Sequence, residues 1–107
     1  MPKYLFQASY SIDGVKGLLN DGGTKRKSVV KTMIESAGGT LETFYYAFGG
    51  YDVICIADLP DDASAAAVSL TASSGGVGSI KTTLLINPEI IDTATNKSIQ
   101  YTPPEVK

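Results

Sequence analysis

An α+β domain with the element order βαββαβ is what this sequence predicts, and three observations predict it. Aromatic and β-branched residues alternate at period two in separate short stretches. Helix-permissive segments part the first of these from the second and the third from the fourth. Paired glycines and a proline mark the boundaries. At 107 residues the chain suits one domain with a modest core.

Residues 3–11, KYLFQASYS, place Tyr4, Phe6, Ala8 and Tyr10 on one face and Lys3, Leu5, Gln7 and Ser9 on the other, as a strand does. Asp13 can cap a short helix carrying Val15, Leu18 and Leu19, which Asn20-Asp21-Gly22-Gly23 interrupts. Thr24 can cap a second helical segment. There Val29, Val30, Met33, Ile34 and Ala37 make one apolar stripe, and Gly38-Gly39 ends it.

Residues 40–48, TLETFYYAF, and 51–58, YDVICIAD, read as two strands joined by a tight Gly49-Gly50 connection, a hairpin. Pro60 stops the third strand. Asp61 and Asp62 supply the negative charge a helix start favours, and the Ala-rich ASAAAVSLTASS follows, closed by Gly75, Gly76 and Gly78. Residues 79–87, SIKTTLLIN, form a fourth strand, and Pro88-Glu89 opens a last short helix through Ile90, Ile91 and Ala94. The domain is expected over residues 1–95, with 96–107 as a C-terminal arm. This order is the split βαβ arrangement of the ferredoxin-like sandwich, a four-stranded antiparallel sheet with both long helices on one face.

The face away from the helices should then be polar. Instead, Ile54 and Ile56 alternate with Val53, Cys55 and Ala57, and Leu85 alternates with Ile80 and Leu84. Strands apolar on both faces need a second layer. The expected cover is the same face of another copy, in a twofold homodimer or a higher homo-oligomer. The alternative cover is the chain's own residues 88–107.

Composition excludes several function classes. There is no histidine, which removes the usual general base near neutral pH and the commonest metal ligand. Cys55 is the single cysteine, so no intrachain disulfide forms. The net charge of −2 argues against nucleic acid as a partner, and Lys25-Arg26-Lys27 is the longest basic run. No apolar stretch approaches the about 18 residues that span a bilayer, and no leader is expected before the first strand. A cytoplasmic protein without metal, cofactor or membrane partner is the expectation.

The stretch Phe44-Tyr45-Tyr46-Ala47-Phe48-Gly49-Gly50-Tyr51-Asp52-Val53-Ile54 resembles the signature of the GYD-domain family, named for the Gly-Tyr-Asp at Gly50-Tyr51-Asp52. Met1-Pro2-Lys3-Tyr4, Asp13-Gly14-Val15-Lys16, Gly38-Gly39-Thr40-Leu41 and Leu59-Pro60-Asp61-Asp62 are similar as well, so the resemblance covers about residues 1–92. It implies a dimeric α+β barrel built from two ferredoxin-like units and little about activity. Related barrels include cofactor-free monooxygenases, haem enzymes, isomerases and ligand sensors, an analogy of fold alone. In the family an arginine often precedes the long helix, and Arg26 is the counterpart here.

Candidate chemistry centres on a few side chains. Asp52 could accept a proton or anchor a ligand, with Tyr51 donating a hydrogen bond; the plainer reading has Asp52 capping backbone amides. Tyr4, Phe6, Tyr10, Phe44, Tyr45, Tyr46 and Phe48 could line a pocket for an aromatic or quinone-like ligand, or simply pack the core and an interface. Arg26, beside Gly22-Gly23-Thr24, could hold an anion or sit in a solvated turn. Gly75-Gly76-Val77-Gly78 precedes a strand, the wrong context for a nucleotide loop. Cys55 reads as structural. The residues expected at a ligand are therefore Phe6, Tyr10, Arg26, Tyr46, Tyr51 and Asp52. The expected function is a homodimeric small-molecule-binding or assembly protein. The alternative is a cofactor-free oxygenase or isomerase in which Asp52 or a tyrosine moves the proton.

Overall fold

A computed structural model describes residues 1–47 and 49–105. Phe48, one of the aromatic residues singled out above, and the last two residues of the arm lie outside the described residues. The elements run β1 (Lys3–Tyr10), α1 (Ile12–Asp21), α2 (Gly23–Ser36), β2 (Thr40–Tyr46), β3 (Val53–Asp58), α3 (Asp62–Ser73), β4 (Val77–Leu85) and α4 (Pro88–Thr95). The sheet order is β2-β3-β1-β4, and every neighbouring pair is antiparallel. This is the ferredoxin-like α+β arrangement, with β2 and β4 as free edges.

Period-two alternation decides which face is buried. Tyr4, Phe6 and Ala8 of β1, Phe44 of β2, and Val53, Cys55 and Ala57 of β3 form the core with Ile34 of α2 and Ala65 and Val68 of α3. Leu59, just after β3, and Ile34 are the largest side chains fully withdrawn from water. Both long helices therefore cover one face of the sheet.

The termini of the helices follow the local chemistry. Ser11, not Asp13, caps α1, its Oγ accepting the N–H of Gly14, while Asp13 sits in the first turn. No side chain caps α2; Gly22, at φ +84°, turns the chain between the two helices, so Thr24 does no capping. Asp61 caps α3, accepting both the N–H and the hydroxyl of Ser64 at 2.8 and 2.7 Å. Part of the expected α1 stripe faces water: Leu19 is 82% exposed.

One detail of β2 departs from simple alternation. A bulge between Leu41 and Thr43 turns Leu41 toward the core and sends Glu42 outward, where Lys3 holds it at 2.6 Å and Asp58 at 2.9 Å. The expected Gly49-Gly50 connection turns on Phe48, which lies outside the described residues. The β2–β3 register runs to Tyr46 and Val53, and the Ala47 N–H still donates to the Asp52 carbonyl at 2.9 Å beyond it.

The outer face carries Leu5, Ile54 and Ile56 at its centre and Leu85 at the end of edge strand β4, all half-buried within one chain, with Tyr45 69% exposed on β2. α4 and the arm leave this face uncovered: every described residue from Ile86 to Glu105 is exposed. Their projection makes the radius of gyration 17.5 Å, against about 13 Å for a compact chain of this length. Among the described residues no helix is long and apolar enough to cross a membrane.

Candidate functional site

The two long helices do not close on each other over the sheet, and the gap between them is a cleft of about 470 Å³. Its floor is the core face of the sheet, with Phe6 and Ala8 from β1, Val53 and Cys55 from β3, and Ile80 from β4. Val30, Met33 and Ile34 of α2 form one wall, and Val68, Thr71 and Ala72 of α3 the other. Gly14, Gly17, Gly75 and Gly76 close one end.

The cleft follows from small residues. α3 is ASAAAVSLTAS after its first aspartate, and such side chains cannot bridge to α2. On α1, a Cβ added at Gly17 would meet nothing within 4 Å. Gly14 serves a different purpose: a Cβ there would lie 2.0 Å from the Gly76 carbonyl oxygen. That oxygen also accepts the backbone N–H and the hydroxyl of Ser11, each at 3.0 Å. These bonds seat the start of α1 against the turn into β4, and Gly76 takes φ +97° to make it.

The polar groups lie at the rim. Arg26, Tyr10 and Asp13 line the cleft, and among the described residues Arg26 is its one lining cation. The Arg26 Nη1 stands 3.6 Å from Asp21, a carboxylate shared with Lys25 at 3.5 Å. Burial pushes the Tyr10 phenol up to about 12, and the nearby Tyr46 adds to this while Arg26 opposes it. Burial also raises the Tyr46 phenol, whose hydroxyl donates to the Gly23 carbonyl at 2.8 Å. A protonated phenol and a guanidinium thus stand together beside an apolar floor.

The expected ligand residues divide. Phe6, Tyr10 and Arg26 line the cleft. Tyr46 packs edge-on against Phe44 and fixes the start of α2 from behind the rim. Tyr51 and Asp52 are half-buried in the loop before β3, outside the lining. The Asp52 carboxylate accepts the Tyr10 N–H at 2.8 Å, its own N–H donates to Ala8, and its carbonyl accepts the N–H of Ala47. Asp52 therefore ties the loop to β1. Lys25 and Lys27 are exposed. Cys55 forms part of the floor, and burial pushes its thiol up to about 11. Among the described residues no group of three or more histidine, cysteine or acidic side chains is placed to hold a metal.

Gly17, Met33, Val68, Thr71 and Ala72 line the cleft as well, though none carries a group that marks a ligand site in the sequence. For Gly17 and Ala72 the sequence holds a partial signal, a glycine pair three residues apart on α1 and an Ala-rich α3, small residues that leave room only once the helices are placed over the sheet.

A family model described as the GYD domain matches residues 4–95. None of the curated proteins matches the chain.

Proposed function

Because this chain belongs to the GYD domain family, for which the fold alone dictates no activity, we propose from its site that it is a homodimeric small-molecule-binding protein. The carrying observation is the apolar cleft of about 470 Å³ between sheet and helices, with a phenol and a guanidinium at its rim. Binding sites for small molecules take this form, an apolar hollow of several hundred Å³ with few converging polar groups. A small apolar or aromatic compound is the ligand that suits it.

Pairing of two copies is supported by the outer face. Leu5 pairs with Ile56, with Ile54 and Leu85 diagonal to Leu5 on the two neighbouring strands, and covering them against water is favourable at roughly 25 cal/mol per Å². A cytoplasmic setting suits the free thiol of Cys55. Binding is favoured over catalysis by the position of Asp52, the carboxylate expected to move a proton, which is engaged with the Tyr10 amide.

A thermal-shift series with small aromatic compounds tests the binding reading, using Gly17→Phe as the comparison. A Cβ at Gly17, a lining residue, meets nothing within 4 Å, so the ring is expected to enter the cleft, and an unchanged circular dichroism spectrum checks that the variant keeps the fold. Compounds that raise the melting temperature of the natural protein and not of Gly17→Phe support it. Equal shifts in both, or none in either, contradict it. Sedimentation equilibrium tests the pairing: the natural protein is a dimer and Ile56→Lys a monomer, whereas a monomeric natural protein contradicts it.

A further inference from the structure

We infer that the cleft selects monoanionic ligands, an apolar or aromatic body carrying one carboxylate, with Arg26 holding the carboxylate at the rim. This rests on the cleft being a binding site and adds the chemical class of its occupant.

Among the described residues Arg26 is the one cation in the lining, and they use its guanidinium incompletely. Its nearest carboxylate oxygen, on Asp21, is 3.6 Å away, beyond a good hydrogen bond, and Lys25 shares that carboxylate at 3.5 Å. The remaining N–H donors keep their planar fork, the shape that matches a carboxylate with two parallel bonds. A neutral body filling the cleft would strip water from this guanidinium without replacing the lost interaction, which is costly. A carboxylate at the end of that body replaces it.

The surroundings decide between anions. A single guanidinium balances one negative charge, whereas a phosphate dianion would call for further cations, and Lys25 and Lys27 are not among the lining residues. Tyr10, protonated at neutral pH, adds a hydroxyl beside Arg26 rather than a charge. Asp13, the lining acid, is exposed, so water and salt screen its repulsion. The floor and walls, with Phe6, Met33, Ile34 and Val68, accept a flat or branched hydrocarbon body.

Calorimetric titration of the full chain with 2-naphthoate and with neutral 2-naphthamide tests this. The natural protein should bind the carboxylate about tenfold or more tightly than the amide. Arg26→Gln should abolish that preference while still binding the amide, and Arg26→Lys should recover part of it. Gly17→Phe should bind neither. Equal affinity for both compounds in the natural protein, or a preference that survives in Arg26→Gln, overturns the assignment of Arg26 while leaving the cleft as a binding site. Failure of both compounds to bind the natural protein overturns both.

Discussion

The carboxylate of Asp52 receives the backbone N–H of Tyr10 at 2.8 Å, so the loop before β3 is fastened to the end of β1, where the rim of the cleft begins. Replacing Asp52 by alanine leaves that amide without its partner. The expected loss of stability is about 1–3 kcal/mol, with Asp52→Asn losing less because its amide oxygen still accepts. Urea denaturation midpoints at unchanged slope measure it.

Gly14→Ala should be among the most damaging single-methyl changes in the chain. The added carbon would fall 2.0 Å from the Gly76 carbonyl oxygen, and neither backbone can yield without breaking the Ser11 bonds. Overpacking of this kind costs about 1–3 kcal/mol or more. Gly17→Ala, a helical glycine with open space above it, should instead leave stability unchanged or raise it by up to about 1 kcal/mol. Comparing the two melting temperatures checks the contrast.

Cys55 should resist alkylation in the folded protein. Burial holds its thiol near 11, and the thiolate is the reacting species. With iodoacetamide at about pH 8, modification should be slow in buffer and fast in urea, and the native rate should climb as pH rises toward 11. Rapid labelling of the native protein would show that the floor of the cleft opens freely.

Asp61 should make stability depend on pH on the acid side. Its hydrogen bonds from Ser64 hold the folded carboxyl below the usual value of 3.8. The folded pKa is depressed, so the contribution is present above that value and fades as pH falls through the lowered one. Asp61→Asn keeps a capping oxygen but no titrating group. Its melting temperature should therefore fall less between neutral pH and about pH 2 than that of the natural protein.

The legible parts of the structure were those that local pattern decides. Tyr4, Phe6 and Ala8 announced their shared face by alternation, and Asp61 announced the start of α3. Leu41 and Glu42 exchanged faces because a bulge depends on pairing with β3, which alternation within one strand cannot reveal. The Gly49-Gly50 pair marked the connection between β2 and β3, but the tie that Asp52 makes from it to Ala8 of β1 depends on a third strand and is not written in local pattern. At the site, the side chains with chemistry in them, Tyr10 and Arg26, were visible in the sequence. The cleft itself was not, because it is made by what Gly17 and Ala72 lack, and that becomes a shape only when α1, α2 and α3 meet over the sheet.

Nitrogen-15 amide spectra of the full chain, recorded while 2-naphthoate is added, report directly where a ligand sits. The account predicts that the moving signals belong to Gly14, Gly17, Thr71 and Gly76, around the cleft, and that Leu5, Ile54 and Ile56 on the opposite face of the sheet stay in place. Movement confined to that opposite face, or no movement at saturating compound, would contradict it.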